Sequence, residues 1–85
     1  MPVEYINEPV EVRVDFCSRR VLPRAMSWNN RLYTVKSINM IHSTRNGASK
    51  LFFFSVSDNV NYFKLQLNTE SLEWRLIEMC SDTIE

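Results

Sequence analysis

The sequence predicts an all-β domain, either a small antiparallel barrel or a strongly curled sheet of five to six strands, SH3-like or OB-like in architecture. Three observations carry that expectation. Residues 10–16, VEVRVDF, alternate strictly between apolar and charged, the period of a half-buried strand. Five more short apolar runs follow, at residues 25–28, 31–42, 50–57, 60–67 and 72–79. The breaks between runs are rich in asparagine, of which the chain has eight against a single glycine. Asparagine tolerates the left-handed backbone region that tight turns require.

In the first run, Val10, Val12, Val14 and Phe16 share one face, and Glu11, Arg13 and Asp15 share the other. Residues 17–24, CSRRVLPR, break the alternation and contain Pro23, so they read as a connection. In AMSWNNRLYTV, residues 25–35, the Asn29-Asn30 pair reads as a hairpin turn. Asn46-Gly47 is a second and stronger turn signal. A tight turn there puts Asn39 and Ile41 on the core face, whereas a bulge near His42 would restore Ile38 and Met40.

A two-residue turn at Asp58-Asn59 sets Phe54 opposite Phe63, Phe52 opposite Leu65 and Val56 opposite Asn61. A four-residue loop at NTES sets Leu65 opposite Trp74, Phe63 opposite Leu76 and Leu67 opposite Leu72. Both assignments agree on one core: Phe52, Phe54, Val56, Phe63, Leu65, Leu67, Leu72, Trp74 and Leu76. The last run, SLEWRLIEMC, also suits a helix capped by Ser71, with Leu72, Leu76, Met79 and Cys80 near one face. The cross-strand match favours a strand.

The chain's 85 residues form one domain, with residues 1–8 and 80–85 as flexible or covering ends. A domain of this size buries about 60–65% of its unfolded surface, which leaves little volume for a deep pocket. A composition 45% hydrophobic and 24% charged is globular rather than disordered. No apolar run is long enough for a membrane span, and MPVEYINEPV lacks the pattern of a secretory leader, so a cytoplasmic location is expected. Cys17 and Cys80 read as free thiols. With the lone His42 they make no zinc pattern, and no metal or cofactor is expected.

Net charge is zero but unevenly spread. Residues 10–50 hold eight cations against two carboxylates, and residues 51–85 hold two cations against six. Interleaving of the two halves in space would give a mixed, solvated surface. Clustering would steer an anionic partner.

The register also names what points outward: Leu51, Phe53, Tyr62, Lys64, Gln66, Arg75 and Ile77. An apolar patch on so small a domain calls for something to cover it. The N-terminal PVEYI could do so, with Tyr5 and Ile6 over Phe53. A second copy or another ligand are the alternatives. Aromatics flanked by Lys64 and Arg75 suit single-stranded nucleic acid, whose bases stack while cations hold phosphates. No RNP-type motif is present, and the pI is about 6.6. His42 is isolated in an apolar strand, and no nucleophile elbow, phosphate loop or close carboxylate pair accompanies it. The chain reads as a non-enzyme.

Pro23, Trp28, Asn30, Arg31, Tyr33 and Val35 form P-x4-W-x-N-R-x-Y-x-V. EPVEVRVDF precedes this motif, FFFSVSDNVNYFKLQL follows it and EWRLIEM closes the pattern. Over residues 8–79 the chain resembles an uncharacterised family of small bacterial all-β domains with a W-x-(G/N)-R-x-Y-x-V motif. Asn30 stands where the family usually has glycine. Related domains occur at the C-terminus of some Y-family DNA-polymerase-like proteins, so the resemblance implies a nucleic-acid-linked or scaffolding role by analogy. Trp28 and Tyr33 then bracket the turn, with Arg31 over the Trp28 ring.

The expected function is a non-catalytic binding module. It would engage a protein partner or single-stranded nucleic acid through an exposed aromatic and basic sheet face, with Phe53, Tyr62, Lys64, Arg75, Leu51 and Arg31 as contacts. The alternative is a structural homodimer or accessory subunit that buries the same face.

Overall fold

Alternation in the sequence becomes seven antiparallel strands in a computed structural model that describes residues 3–81. They are β1 (Val3–Cys17), β2 (Arg20–Trp28), β3 (Arg31–Thr34), β4 (Ser37–Asn46), β5 (Ser49–Ser57), β6 (Asn61–Asn68) and β7 (Trp74–Ser81). All belong to one sheet with the order β3-β2-β1-β7-β6-β5-β4. The expected five to six strands become seven because the run at 31–42 splits at Val35-Lys36 into two strands. Those two are the opposite edges of the sheet.

The sheet is curled but not closed. Tyr33 on β3 stacks edge-on against Phe63 on β6, with ring centroids 5.3 Å apart, although three strands lie between them in the sheet order. Only strong curvature brings such strands together. The crossing from one edge to the other is held by Val35 N–H donating to the Arg24 carbonyl and Lys36 N–H donating to the Ser57 carbonyl, both at 2.8 Å. Beyond that corner no ladder joins β2 or β3 to β4, so the expected barrel is corrected to an open one.

β1 serves two neighbours. Val3–Val10 pairs with β7, and Glu11–Cys17 pairs with β2. A bulge between Tyr5 and Glu8, where Asn7 has a φ of 51°, lets the strand bend between the two. The N-terminal segment therefore extends the sheet beside β7 instead of lying across its outward face. Tyr5 is 79% exposed and covers nothing, whereas Ile6 packs against the core.

Residues 17–24 are corrected from connection to strand. Ser18 and Arg19, at φ 53° and 64°, form the turn, and β2 begins at Arg20. Pro23 is tolerated because β3 pairs only with Ala25–Trp28 and a bulge lies beside Pro23 on the β1 side. Asn29 and Asn30, at φ 57° and 63°, make the expected two-residue turn between β2 and β3.

The core consists of Met26, Phe54, Val56, Phe63, Leu65, Leu67 and Leu76, with Phe52, Trp74, Val10 and Val12 packed around it. Leu65 faces Leu76 across β6 and β7, and neither is exposed at all. Burying a leucine this fully contributes about 1.5–3 kcal/mol. The β5–β6 and β6–β7 turns each sit one position later than the sequence suggested. The β5–β6 turn centres on Asn59-Val60, so Phe54 faces Leu65 and Val56 faces Phe63. A shift of the turn centre by one residue moves each partner by two and leaves every side chain on its predicted face.

β7 is a strand, which settles the helix alternative for 74–81. Leu72 is the error in the predicted core: it sits in the preceding loop at φ 64° and is 71% exposed. In the β4–β5 hairpin the turn residues are Gly47 and Ala48, with Gly47 at φ 66°. The bulge lies at Asn39 rather than near His42. It returns Ile38 to the core but leaves Met40 outside at 60% exposure, while Ile41, paired with Phe54, stays exposed at the edge of the sheet.

Candidate functional site: the outward face of the sheet

Cross-strand partners share a face, so the pairings define the outward surface row by row. One row runs His42–Phe53–Gln66–Arg75–Pro9, and the next runs Met40–Ser55–Lys64–Glu78–Tyr5. A third joins Ser57, Tyr62, Cys80 and Val3. Leu51, opposite Asn68, lies further along β5. Phe53, Tyr62, Lys64, Arg75 and Leu51 are thus on one face, as the alternation predicts. Leu51 and Ser57, the partner of Tyr62, are six residues apart on β5, about 20 Å of strand. Ile77 is the extra residue of a bulge in β7.

Arg31 is not among them. It lies on β3, at the far end of the sheet order, with its guanidinium 5.2 Å from the centroid of Tyr33. The expected stack on Trp28 is replaced because Trp28 Nε1–H donates to Glu8 Oε1 at 2.9 Å, which turns the indole toward β1. Trp28, Tyr33 and Phe63 form a chain of ring contacts at 6.3 and 5.3 Å. The motif that carries the resemblance is therefore a structural brace between the β2–β3 hairpin and the core.

The face's two cations are held within the chain. Lys64 Nζ lies 3.1 Å from Glu78 Oε2, its direct neighbour on β7. Arg75 donates through Nε to Asn7 Oδ1 at 3.0 Å and through an Nη to the Asn7 carbonyl at 2.7 Å. Its other Nη lies 3.4 Å from Glu73. The β1 bulge presents that carbonyl, so the irregularity that bends β1 also fixes Arg75. His42 lies flat on Phe53, with ring centroids 5.1 Å apart and planes 16° from parallel.

The apolar members remain at the surface. Tyr62 is 44% exposed and Phe53 is half-buried under His42. Val3, Tyr5 and Met40 add to them. Sequence reasoning missed these three because it assigned Val3 and Tyr5 to a covering segment and left the face of Met40 open between a tight turn and a bulge near His42. A shallow depression of about 240 Å³ lies among residues that include Val3, Tyr62, Lys64 and Glu78. Among the described residues no three His, Cys, Asp or Glu side chains gather as a metal site, and Cys17 and Cys80 are free.

At the end of this face Asp58 caps the β5–β6 turn, accepting N–H bonds from Val60 and Asn61 at 2.8 and 2.7 Å. Burial acts to raise its pKa. These bonds, with one from the Asn61 side chain, outweigh it and hold the carboxyl below its ordinary value. Comparison of the chain with known protein families, characterised proteins and solved structures finds no match to any of them.

Proposed function

We propose that the domain is a non-catalytic binding module whose outward β5–β6–β7 face engages a protein partner. The observation that carries this reading is the division of the face: Val3, Tyr5, Met40 and Tyr62 are exposed, while Lys64 and Arg75 are bonded to groups of the same chain. Single-stranded nucleic acid would need those cations for phosphate, and each would first have to leave its present partner. A partner with an apolar, uncharged surface meets no such cost. Arg31 falls outside the contact surface, and Tyr5 and Met40 join it. His42, the residue a catalytic reading would require, serves as the lid on Phe53. We place the module in the cytoplasm, where two free thiols are stable.

Photo-crosslinking in the host organism tests this reading. With benzoylphenylalanine at Tyr62, a discrete adduct to another protein is expected, and it should weaken when Met40→Asp is added. The same probe at Leu32, exposed on the remote strand β3, should not give it. An adduct of twice the chain's mass would establish the homodimer alternative instead. A nuclease-sensitive adduct would restore the nucleic-acid reading, and no adduct at Tyr62 would remove this face from consideration.

A further inference from the structure

A second surface lies where the sheet fails to close. Between the start of β2 and the free edge of β4 is a cleft of about 200 Å³, lined by Arg19, Arg20, Val21, Ile41, Phe52 and Phe54. A neighbouring depression brings Arg20 to Ile38, Asn39, Met40 and Ile41. The two strand edges that flank it are both unpaired. β4 pairs only with β5, and β3 covers β2 only from Ala25 onward. An edge strand directs alternate N–H and C=O groups outward, ready to pair with another extended chain. The bulge at Asn39 interrupts β4 near the closed corner and leaves Met40–Asn46 in regular register.

Charge around this seam is one-sided. Residues 16–57, which include all of β2, β3, β4 and β5, contain seven cations and no aspartate or glutamate. Arg24 pairs with Asp15 on β1. Arg19 and Arg20 have no carboxylate within 4.0 Å among the described residues. Lys50 lies over the Phe52 ring at 5.2 Å, so a cation also stands beside the cleft's aromatic floor. The basic half of the sequence thus sits at the two ends of the strand order and frames the opening, while most of the carboxylates are on the central strands and their loops.

We infer that this seam binds an extended acidic peptide segment of another protein. The segment would pair its backbone with β4, set a bulky apolar side chain over Ile41, Phe52 and Phe54, and place an adjacent carboxylate against Arg19 and Arg20. Backbone pairing supplies affinity and the alternating side chains supply selectivity, as in strand addition generally. A nucleic acid would satisfy the arginines but has no N–H and C=O ladder to match the strand edge. The inference stands apart from the reading of the outward face, since the two surfaces share only β4, β5 and the exposed Met40.

Selection of a random heptapeptide display library against the intact domain tests it, with counter-selection on Arg19→Glu/Arg20→Glu. Enriched peptides are expected to place Asp or Glu beside Phe, Leu, Ile or Trp. Synthetic copies should bind the double variant at least tenfold more weakly. They should lose a similar factor when their backbone is N-methylated at alternate residues. Amide shifts should fall on residues 20–22 and 38–46. Thermal melting of the double variant, unchanged because both arginines are exposed, separates lost binding from lost folding. Failure to enrich any sequence, a consensus without acidic residues, equal binding to the double variant, or shifts confined to Tyr62, Lys64 and Glu78 would each overturn the inference.

Discussion

Single residues carry the irregularities on which the fold depends, and asparagine is the commonest type among them. Asn7, Asn29 and Asn30 all have positive φ, a conformation that costs most side chains about 1–2 kcal/mol. Asn30→Ala is expected to lower stability by about 1 kcal/mol, whereas Asn30→Gly should leave it nearly unchanged. Urea denaturation at matched slopes measures both. Asp58 makes a prediction in pH. Its folded pKa lies below the unfolded value of about 3.9, so its contribution is present above pH 4 and is lost as pH falls through the folded pKa. The stability gap between the wild-type protein and Asp58→Asn should therefore be largest near pH 6 and shrink toward pH 3. A gap that stays constant across that range would mean the carboxylate's charge has no part in capping the turn.

At the scale of elements, the sequence was legible where alternation and turn chemistry agreed. The faces of β5, β6 and the start of β7 were readable because a strand has period 2, so an error of one residue in the turn centre preserves every face up to the bulge at Ile77. Val10 and Val12 were readable for the same reason. What could not be read depended on irregularities. The Asn39 bulge returns Ile38 to the core while Met40 stays outward, and nothing local in SINMIHS marks where the extra residue falls. Ser18-Arg19 is an uncommon pair for a turn with two positive φ values, so β2 lost its first half to an apparent loop. For the candidate site, the positions of Lys64 and Arg75 on the face were legible, but their partners were not. Glu78 becomes the neighbour of Lys64 only through the β7 bulge, and Asn7 meets Arg75 across 68 residues of chain. One pair of substitutions tests the observed core against the predicted one. Leu65→Ala is expected to cost about 2–5 kcal/mol, and Leu72→Ala, at an exposed loop position, less than about 0.5 kcal/mol.

Over the whole molecule, the same connectivity that curls the sheet leaves it open. The chain crosses from one edge to the other at Val35-Lys36, where two backbone hydrogen bonds outside the ladders hold the corner. Met26 on β2 and Phe54 on β5 then share one core, although β1, β7 and β6 separate their strands in the sheet. The rest of β4 keeps a free edge, and across the opening Arg19 and Arg20 have no carboxylate within 4.0 Å among the described residues. The apolar outward face and the basic seam follow from one layout, in which most of the carboxylates lie on β1 and the loops of the central strands while the strands at the ends of the order carry only cations.

That layout stands or falls on whether the edge of β4 is free, which backbone amide exchange measured residue by residue by NMR decides most directly. The open sheet predicts two classes of amide between Met40 and Asn46, alternately protected by β5 and exchanging within minutes, while amides of β6 remain protected to near the global unfolding limit. Uniform protection along β4, equal to that of β6, would show that another strand pairs with this edge and would contradict the open-sheet account.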